Sequence, residues 1–230
     1  MNTKFTTKML KVLPVICGFA TMVASPAYAS TTYSIDFGTP TKIAGNAATY
    51  TINSTPNAIF SAYGYTTGGA PVNVFAKNDG GAEVGLGLTN DGSGEDEITP
   101  GNFIQLNLTS LALYGATSVT LQVSSLTGTD AFQFYSGKTA GQEGTAVAGD
   151  SGNGTSNATN GISTLSYTFA LSPTGNDYIS LAATAGNVLL GPGSIYGNIA
   201  TPEPASFGMI GLALFGLGLA GRRKFQSSKN

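Results

Sequence analysis

The chain has no histidine, no tryptophan and a single cysteine in 230 residues. Ser–His and Cys–His nucleophilic catalysis and ordinary zinc sites each need residue types that are missing here. Cys17 lies in the first thirty residues. Ile16 precedes it, where a lipid-modified cysteine would want a small residue. Basic residues are scarce as well. Of the ten Lys and Arg, three stand in the first eleven residues (Lys4, Lys8, Lys11) and four in the last nine (Arg222, Arg223, Lys224, Lys229). Between them, Lys42, Lys77 and Lys138 face all twelve acids, a net charge of −9. A surface of that sign repels phosphate backbones, which excludes nucleic-acid binding.

What is present begins with an export pattern. A lysine-bearing start is followed by the apolar run 12–24 and by Ala27-Tyr28-Ala29, a small-x-small cleavage site. The pattern predicts a signal peptide over 1–29, cut by signal peptidase after Ala29. The alternative is a membrane anchor, but the run is shorter than the roughly 20 residues of a spanning helix. Pro14 and Pro26 also bracket it. Removal of 1–29 takes away Cys17, leaving neither disulfide nor thiol.

Residues 30–201 are enough for one domain with its own core. Short runs of alternating apolar and polar residues recur: YSIDF (33–37), ATYTI (48–52), VNVFA (72–76), FIQLNL (103–108), SVTLQV (118–123), AFQFY (131–135), LSYTFAL (165–171) and YISLAA (178–183). Their period of two predicts half-buried strands. Turn-rich stretches such as TTGGAP, KNDGG and SPTGND separate them. In FIQLNL, Ile104, Leu106 and Leu108 form an apolar face opposite Phe103, Gln105 and Asn107. No helical period stands out. The expected fold is all-β, an antiparallel β-sandwich of jelly-roll type, with a β-helix as the other reading. Residues 137–161 are poor in apolar side chains and predict a long mobile loop with one weak strand at 145–148.

Two groups of residues invite a functional reading. Asp91, Glu95, Asp96 and Glu97 crowd a glycine-bearing loop, the hard oxygen ligands calcium takes. An EF-hand fails, since its sixth and twelfth positions would be Asp96 and Asn102. The other reading is a solvated turn between GLGL (85–88) and FIQLNL. A glycosidase pair would need carboxylates set across a cleft, and adjacent acids on one loop do not point to one. Tyr63 and Tyr65 offer apolar ring faces with polar tips on which a sugar would stack, as would Tyr135. Packing in a core or at an edge is the commoner use of such rings. No enzyme is expected.

The chain closes with TPEPASFGMIGLALFGLGLAGRRKFQSSKN, residues 201–230. Pro202-Glu203-Pro204 is stiff and extended. Residues 205–221 carry no charge and include five glycines, at the short end of the spanning range. Arg222-Arg223-Lys224 would stay cytoplasmic by the positive-inside tendency. On physics alone this is a C-terminal membrane anchor. The order of its parts resembles the PEP-CTERM sorting signal. That resemblance implies processing by a membrane protease, an exosortase. Pro202, Glu203 and Pro204 would be the recognition motif, 208–221 a transient helix in the inner membrane, and Arg222, Arg223 and Lys224 the stop-transfer charges. It further implies a Gram-negative host and an association with exopolysaccharide and biofilm. A second stretch, GLGLTNDGSGEDEITPGNFIQLNL, is similar to one in some exosortase-dependent surface proteins through Gly85, Gly87, Asp96, Glu97 and Ile98. It implies no chemistry. The expectation is an exported, non-enzymatic surface or matrix protein; a module binding the cell's own polysaccharide is the alternative.

Overall fold

The computed structural model describes residues 31–52, 59–81, 83–89, 94–154, 163–172, 174 and 178–197. The predicted leader, Asp91 and the whole C-terminal segment, with Pro202, Glu203, Pro204, Arg222, Arg223 and Lys224, lie outside them, as do Ala27 and Ala29.

Among the described residues, thirteen strands and one helical turn follow in the order β1 (Thr31–Ile35), β2 (Lys42–Ala44), β3 (Ala47–Thr51), β4 (Ile59–Thr66), β5 (Val74–Asn78), β6 (Val84–Leu88), β7 (Asn102–Asn107), α1 (Thr109–Leu113), β8 (Ala116–Leu126), β9 (Ala131–Gly137), β10 (Thr145–Asn153), β11 (Ser163–Ala170), β12 (Tyr178–Ala185) and β13 (Leu189–Gly197). They form two antiparallel sheets. One runs β11-β8-β13-β6-β5, with β1 also on β13; the other runs β10-β9-β12-β7-β4-β3-β2. The expected all-β sandwich of antiparallel strands is what the chain forms.

The last eight strands pair in nested fashion. β9 lies on β10, β8 on β11, β7 on β12, and β6 on β13. Successive strands from β6 to β9 change sheet at each step, so the chain is wound as one long doubled ribbon. Strand alternation explains how the ribbon closes. On β8, Val119, Leu121 and Val123 are fully buried while Ser118, Thr120 and Gln122 face outward half-exposed. Ile104 and Leu106 of β7, Phe132 and Phe134 of β9, and Leu181 of β12 meet them from the other sheet. Two aromatic clusters fill the ends of this core. Phe37, Tyr50 and Phe60 pack with centroids 5.1–6.1 Å apart. Phe134 lies 5.4 Å from Tyr167 and 5.0 Å from Phe169.

The segment expected to be a mobile loop after Gly137 is ordered over most of its length. β10 extends from Thr145 to Asn153 rather than stopping at residue 148, with a register shift between Ala146 and Ser151. Residues 138–144 fold back over the outer face of β7. There the Gln105 side chain donates to the Thr139 and Gln142 carbonyls at 3.3 and 2.7 Å, and its Oε1 accepts from the Gly141 amide at 2.9 Å. Gln105 is thus fully buried on a face that the alternation alone assigns to solvent.

Candidate functional site

At one end of the sandwich the β5–β6 turn, residues 94–97, the β8–β9 turn and Asn187 enclose an open cavity of about 700 Å³. Its floor is an ion-pair network. The Lys77 ammonium lies 2.6 Å from Glu83 Oε2 and 2.8 Å from Glu97 Oε1. Ser125 Oγ lies within hydrogen-bond distance of Glu83 Oε1 and Glu97 Oε1, at 2.8 and 2.7 Å. Glu97 is 1% exposed. Burial alone would lower the Lys77 pKa, but hydrogen bonds to Glu83 and Glu97 outweigh it and hold the ammonium above its ordinary value. Burial pushes the Glu97 carboxyl up, against the pull of Lys77 and Ser125. Burial also acts to raise Glu83, yet the bonds from Lys77 and Ser125 leave it below its usual value.

The local backbone explains how the network forms. Asp96 has φ 58° and Ser125 φ 59°, left-handed conformations that bring the Glu97 and Ser125 side chains together. Such conformations cost a side-chain-bearing residue on the order of 1–2 kcal/mol, offset here by the buried polar contacts. The 94–98 segment lies flat against β6 because Gly87 has no side chain. A Cβ there would stand 1.9 Å from the Asp96 carbonyl oxygen. Ile98 then bridges to Val188 through paired backbone hydrogen bonds. The residues Gly87, Asp96, Glu97 and Ile98, which sequence similarity grouped, are therefore one packed unit.

Of the expected calcium ligands, Glu95 and Asp96 line the cavity mouth and Glu97 turns inward to Lys77; Asp91 lies outside the described residues. Among the described residues no three acidic side chains converge as a metal site. Lys77, Glu83 and Ser125 were not singled out by sequence. The usable signal was scarcity, since Lys77 is one of only three lysines among the acids of residues 30–201.

Tyr63 and Tyr65 project from the outer face of β4, 6.3 Å apart between centroids and tilted by 31°. Tyr65 also packs on Phe103 at 5.5 Å and against Gly141 of the folded-back loop. Burial, and then the neighbouring Tyr63 and Tyr178 phenols, raise the Tyr65 pKa. The register carries the row across β7 and β12 to Tyr135 on β9, pairing Tyr63 with Gln105, Gln105 with Ser180 and Ser180 with Tyr135. The tyrosines therefore ring the loop that Gln105 holds. Tyr178 joins them, its hydroxyl accepting from Asn107 Nδ2 at 3.4 Å.

Neither the network nor the tyrosine face carries a signature of known chemistry; the decisive match lies in the tail. Residues 200–224 match the PEP-CTERM protein-sorting motif. The chain carries a PEP-CTERM sorting signal. A signal of this kind implies export, a C-terminal membrane anchor before processing, and an exosortase as the processing partner. Among the described residues no helix is long and apolar enough to cross a membrane.

No curated protein matches the chain. Solved structures with similarity include the K1 cleaved adhesin domain of Lys-gingipain from Porphyromonas gingivalis W83. It is 15% identical, with 72% of this chain and 94% of that one covered and a TM-score of 0.31. A carbohydrate-binding module of Cellvibrio mixtus lichenase 5A, in complex with cellotriose, is 15% identical over 70% of this chain and 94% of that one, at a TM-score of 0.26. Arthrobacter globiformis T6 isomalto-dextranase with panose is 16% identical over 73% of this chain and 32% of its own, at 0.30. Likenesses this distant assign neither ligand nor activity to the chain.

Proposed function

We propose that this chain is a non-enzymatic surface or matrix protein of a Gram-negative bacterium, delivered by its C-terminal signal and associated with exopolysaccharide. The observation that carries the reading is the sorting motif at 200–224 behind an acidic all-β domain. The nested strand pairing supports reading that domain as a jelly roll. A lysine held protonated between two carboxylates is a poor nucleophile or base, which supports a role for the Lys77 network in stability rather than catalysis. Intact-mass analysis of the protein from its host, with and without the exosortase, tests the proposal. A mature chain from Ser30 to the 202–204 region, seen only when the exosortase is present, is the expected result. A chain still ending at Asn230 in both strains would reduce the tail to a plain anchor and remove the matrix assignment.

The second reading is polysaccharide binding on the outer face of the seven-stranded sheet. The specific observation favouring it is the half-exposed Tyr63 beside Tyr65, Tyr178 and Asn107 on one open side. Tyr63→Ala is the cleaner probe, because Tyr65 also holds Phe103 and the loop. On the host's polysaccharide, Tyr63→Ala should weaken retention about tenfold, the worth of one aromatic contact. Equal retention of variant and parent would dispose of the platform.

A further inference from the structure

The two ends of the described domain leave the sandwich at one place. Thr31 pairs with Gly197, and Gly197 pairs with Ala116 at the start of β8. Around this point the surface is unusually apolar. Leu113 is 67% exposed, Tyr196 48%, Ile59 42% and Tyr114 37%, four of the six large hydrophobic side chains that stand in solvent among the described residues. They share one end of the sandwich, with Ile59 and Tyr196 on its two different sheets: Leu113 and Tyr114 end the α1 turn just before Ala116, Tyr196 precedes Gly197, and Ser110 bonds the Ile59 carbonyl.

Acids are concentrated toward the other end of the same axis, with Glu143 beside Tyr135, and Asp177 just before Tyr178 in sequence, the acids nearer the apolar end. Residues 31–35, 98–129 and 178–197 contain no ionisable acid or base of the Asp, Glu, Lys or Arg type. Asp79, Glu83, Glu95, Asp96, Glu97 and Asp130 all line the cavity at the other end. β8 runs from one end to the other, its eleven residues covering about 35 Å. Lys42 and Lys138 flank the apolar end. Lys42 lies in the register row that runs through Thr49, Ser61, Asn107 and Tyr178 to Gly137, and Lys138 follows Gly137.

Only seven residues, 198–204, separate Gly197 from the uncharged run 205–221. Fully extended they reach under about 30 Å, less than the length of the domain. We infer that, while the chain is anchored, the end of the sandwich bearing Leu113, Tyr114 and Tyr196 rests on the lipid headgroup layer and the acidic cavity points away from it. The inference rests on the membrane-anchored reading of the tail. Tyrosine at this depth keeps its ring in the apolar boundary and its hydroxyl in water. Anionic headgroups attract the flanking lysines and repel the acidic end. The short tether supplies a high local concentration of lipid, so a small apolar patch suffices.

The experiment uses the unprocessed chain without its leader, reconstituted in phosphatidylcholine vesicles containing one part in five phosphatidylglycerol. That chain has no cysteine, so Thr117→Cys and Asp79→Cys each accept one environment-sensitive fluorophore, the first at the apolar end and the second at the acidic end. Brominated lipids should quench the label at 117 several-fold more than the label at 79. Leu113→Ser with Tyr196→Ser should bring the 117 label down to the level of 79. Equal quenching at both positions in a chain that resists alkaline carbonate would overturn the docking while leaving the anchor in place. A 117 label that is shielded from water yet unquenched would mean that protein, such as a second copy, covers the patch, and would overturn it too. Extraction of the chain by carbonate would remove the anchor itself, and the docking with it.

Discussion

Lys77 is one ammonium shared by two carboxylates, and the three groups do not contribute to stability in the same direction. The Glu97 carboxyl is raised by burial, so the folded chain binds that proton more tightly than the unfolded chain. Its contribution is complete at low pH and is lost as pH rises through the folded value. Glu83 is lowered; its contribution is present at neutral pH and is lost on acidification through its folded value. Lys77 is raised, so what it adds persists until strongly alkaline pH. Above the ordinary carboxylate range, therefore, the falling limb belongs to Glu97. Glu97→Gln keeps an acceptor for Lys77 and Ser125 and has no proton to lose. Urea unfolding above that range should show a flatter profile for the variant than for the parent. Equal slopes would mean that Glu97 is ionised and paired throughout. Lys77→Met leaves Glu83 and Glu97 side by side without the cation they share and should cost about 3 kcal/mol at pH 7. The double variant Lys77→Met/Glu97→Leu should recover part of that loss, since the buried acid left without its partner is gone. An additive loss would deny the coupling.

Elements were legible in the sequence where alternation was clean and the residues β-branched or aromatic. β7, β8, β9, β11 and β12 all fall on runs that the period of two identifies, and Ile104 and Leu106 lie in the core as alternation requires. β13 was not legible, because Gly191, Pro192 and Gly193 interrupt any alternation in LLGPGSIYG. Its glycines serve close approach instead, with a Cβ at Gly193 falling 2.6 Å from the Thr120 carbonyl oxygen. β10 and the 138–144 fold-back were hidden for another reason. The fold-back is ordered by the buried Gln105 amide on a distant strand, a contact 34 to 37 residues away that no local pattern reports, and β10 by its pairing with β9 and the Gln133 amide bonded to the Val147 and Asp150 carbonyls. The carboxylates of the candidate site were visible as residues; what they do was not, because the backbone turns at Asp96 and Ser125 decide which of them meets Lys77. The loop's dependence on Gln105 can be measured. Gln105→Leu removes three loop hydrogen bonds while keeping the volume, and should cost about 2 kcal/mol. Amide exchange at residues 139–142 should rise selectively, with the β8–β13 ladder unchanged. Exchange rising equally across both sheets would mean that Gln105 supports the core rather than the loop.

The whole molecule is organised around its last strand. β13 lies between β8 on one side and β6 with β1 on the other, so the six-stranded sheet has no continuous middle until Gly197 is in place. The nested pairing sets the partners of β6 and β13 about a hundred residues apart in sequence. Closing so long a loop early is entropically costly. The chain therefore completes its fold only when the residues just before the sorting motif are available to pair. Processing at 202–204 would cut beyond Gly197 and leave every pair of β13 intact. A chain of residues 30–201 should accordingly melt as cooperatively as the full chain and within a few degrees of it, as expected when no strand is lost. A chain of residues 30–188 lacks β13 and exposes both of its neighbours, and should show no cooperative transition by circular dichroism. If 30–188 still melted cooperatively, the two sheets would be stable without their shared strand. Folding would then be independent of the arrival of the C-terminal signal.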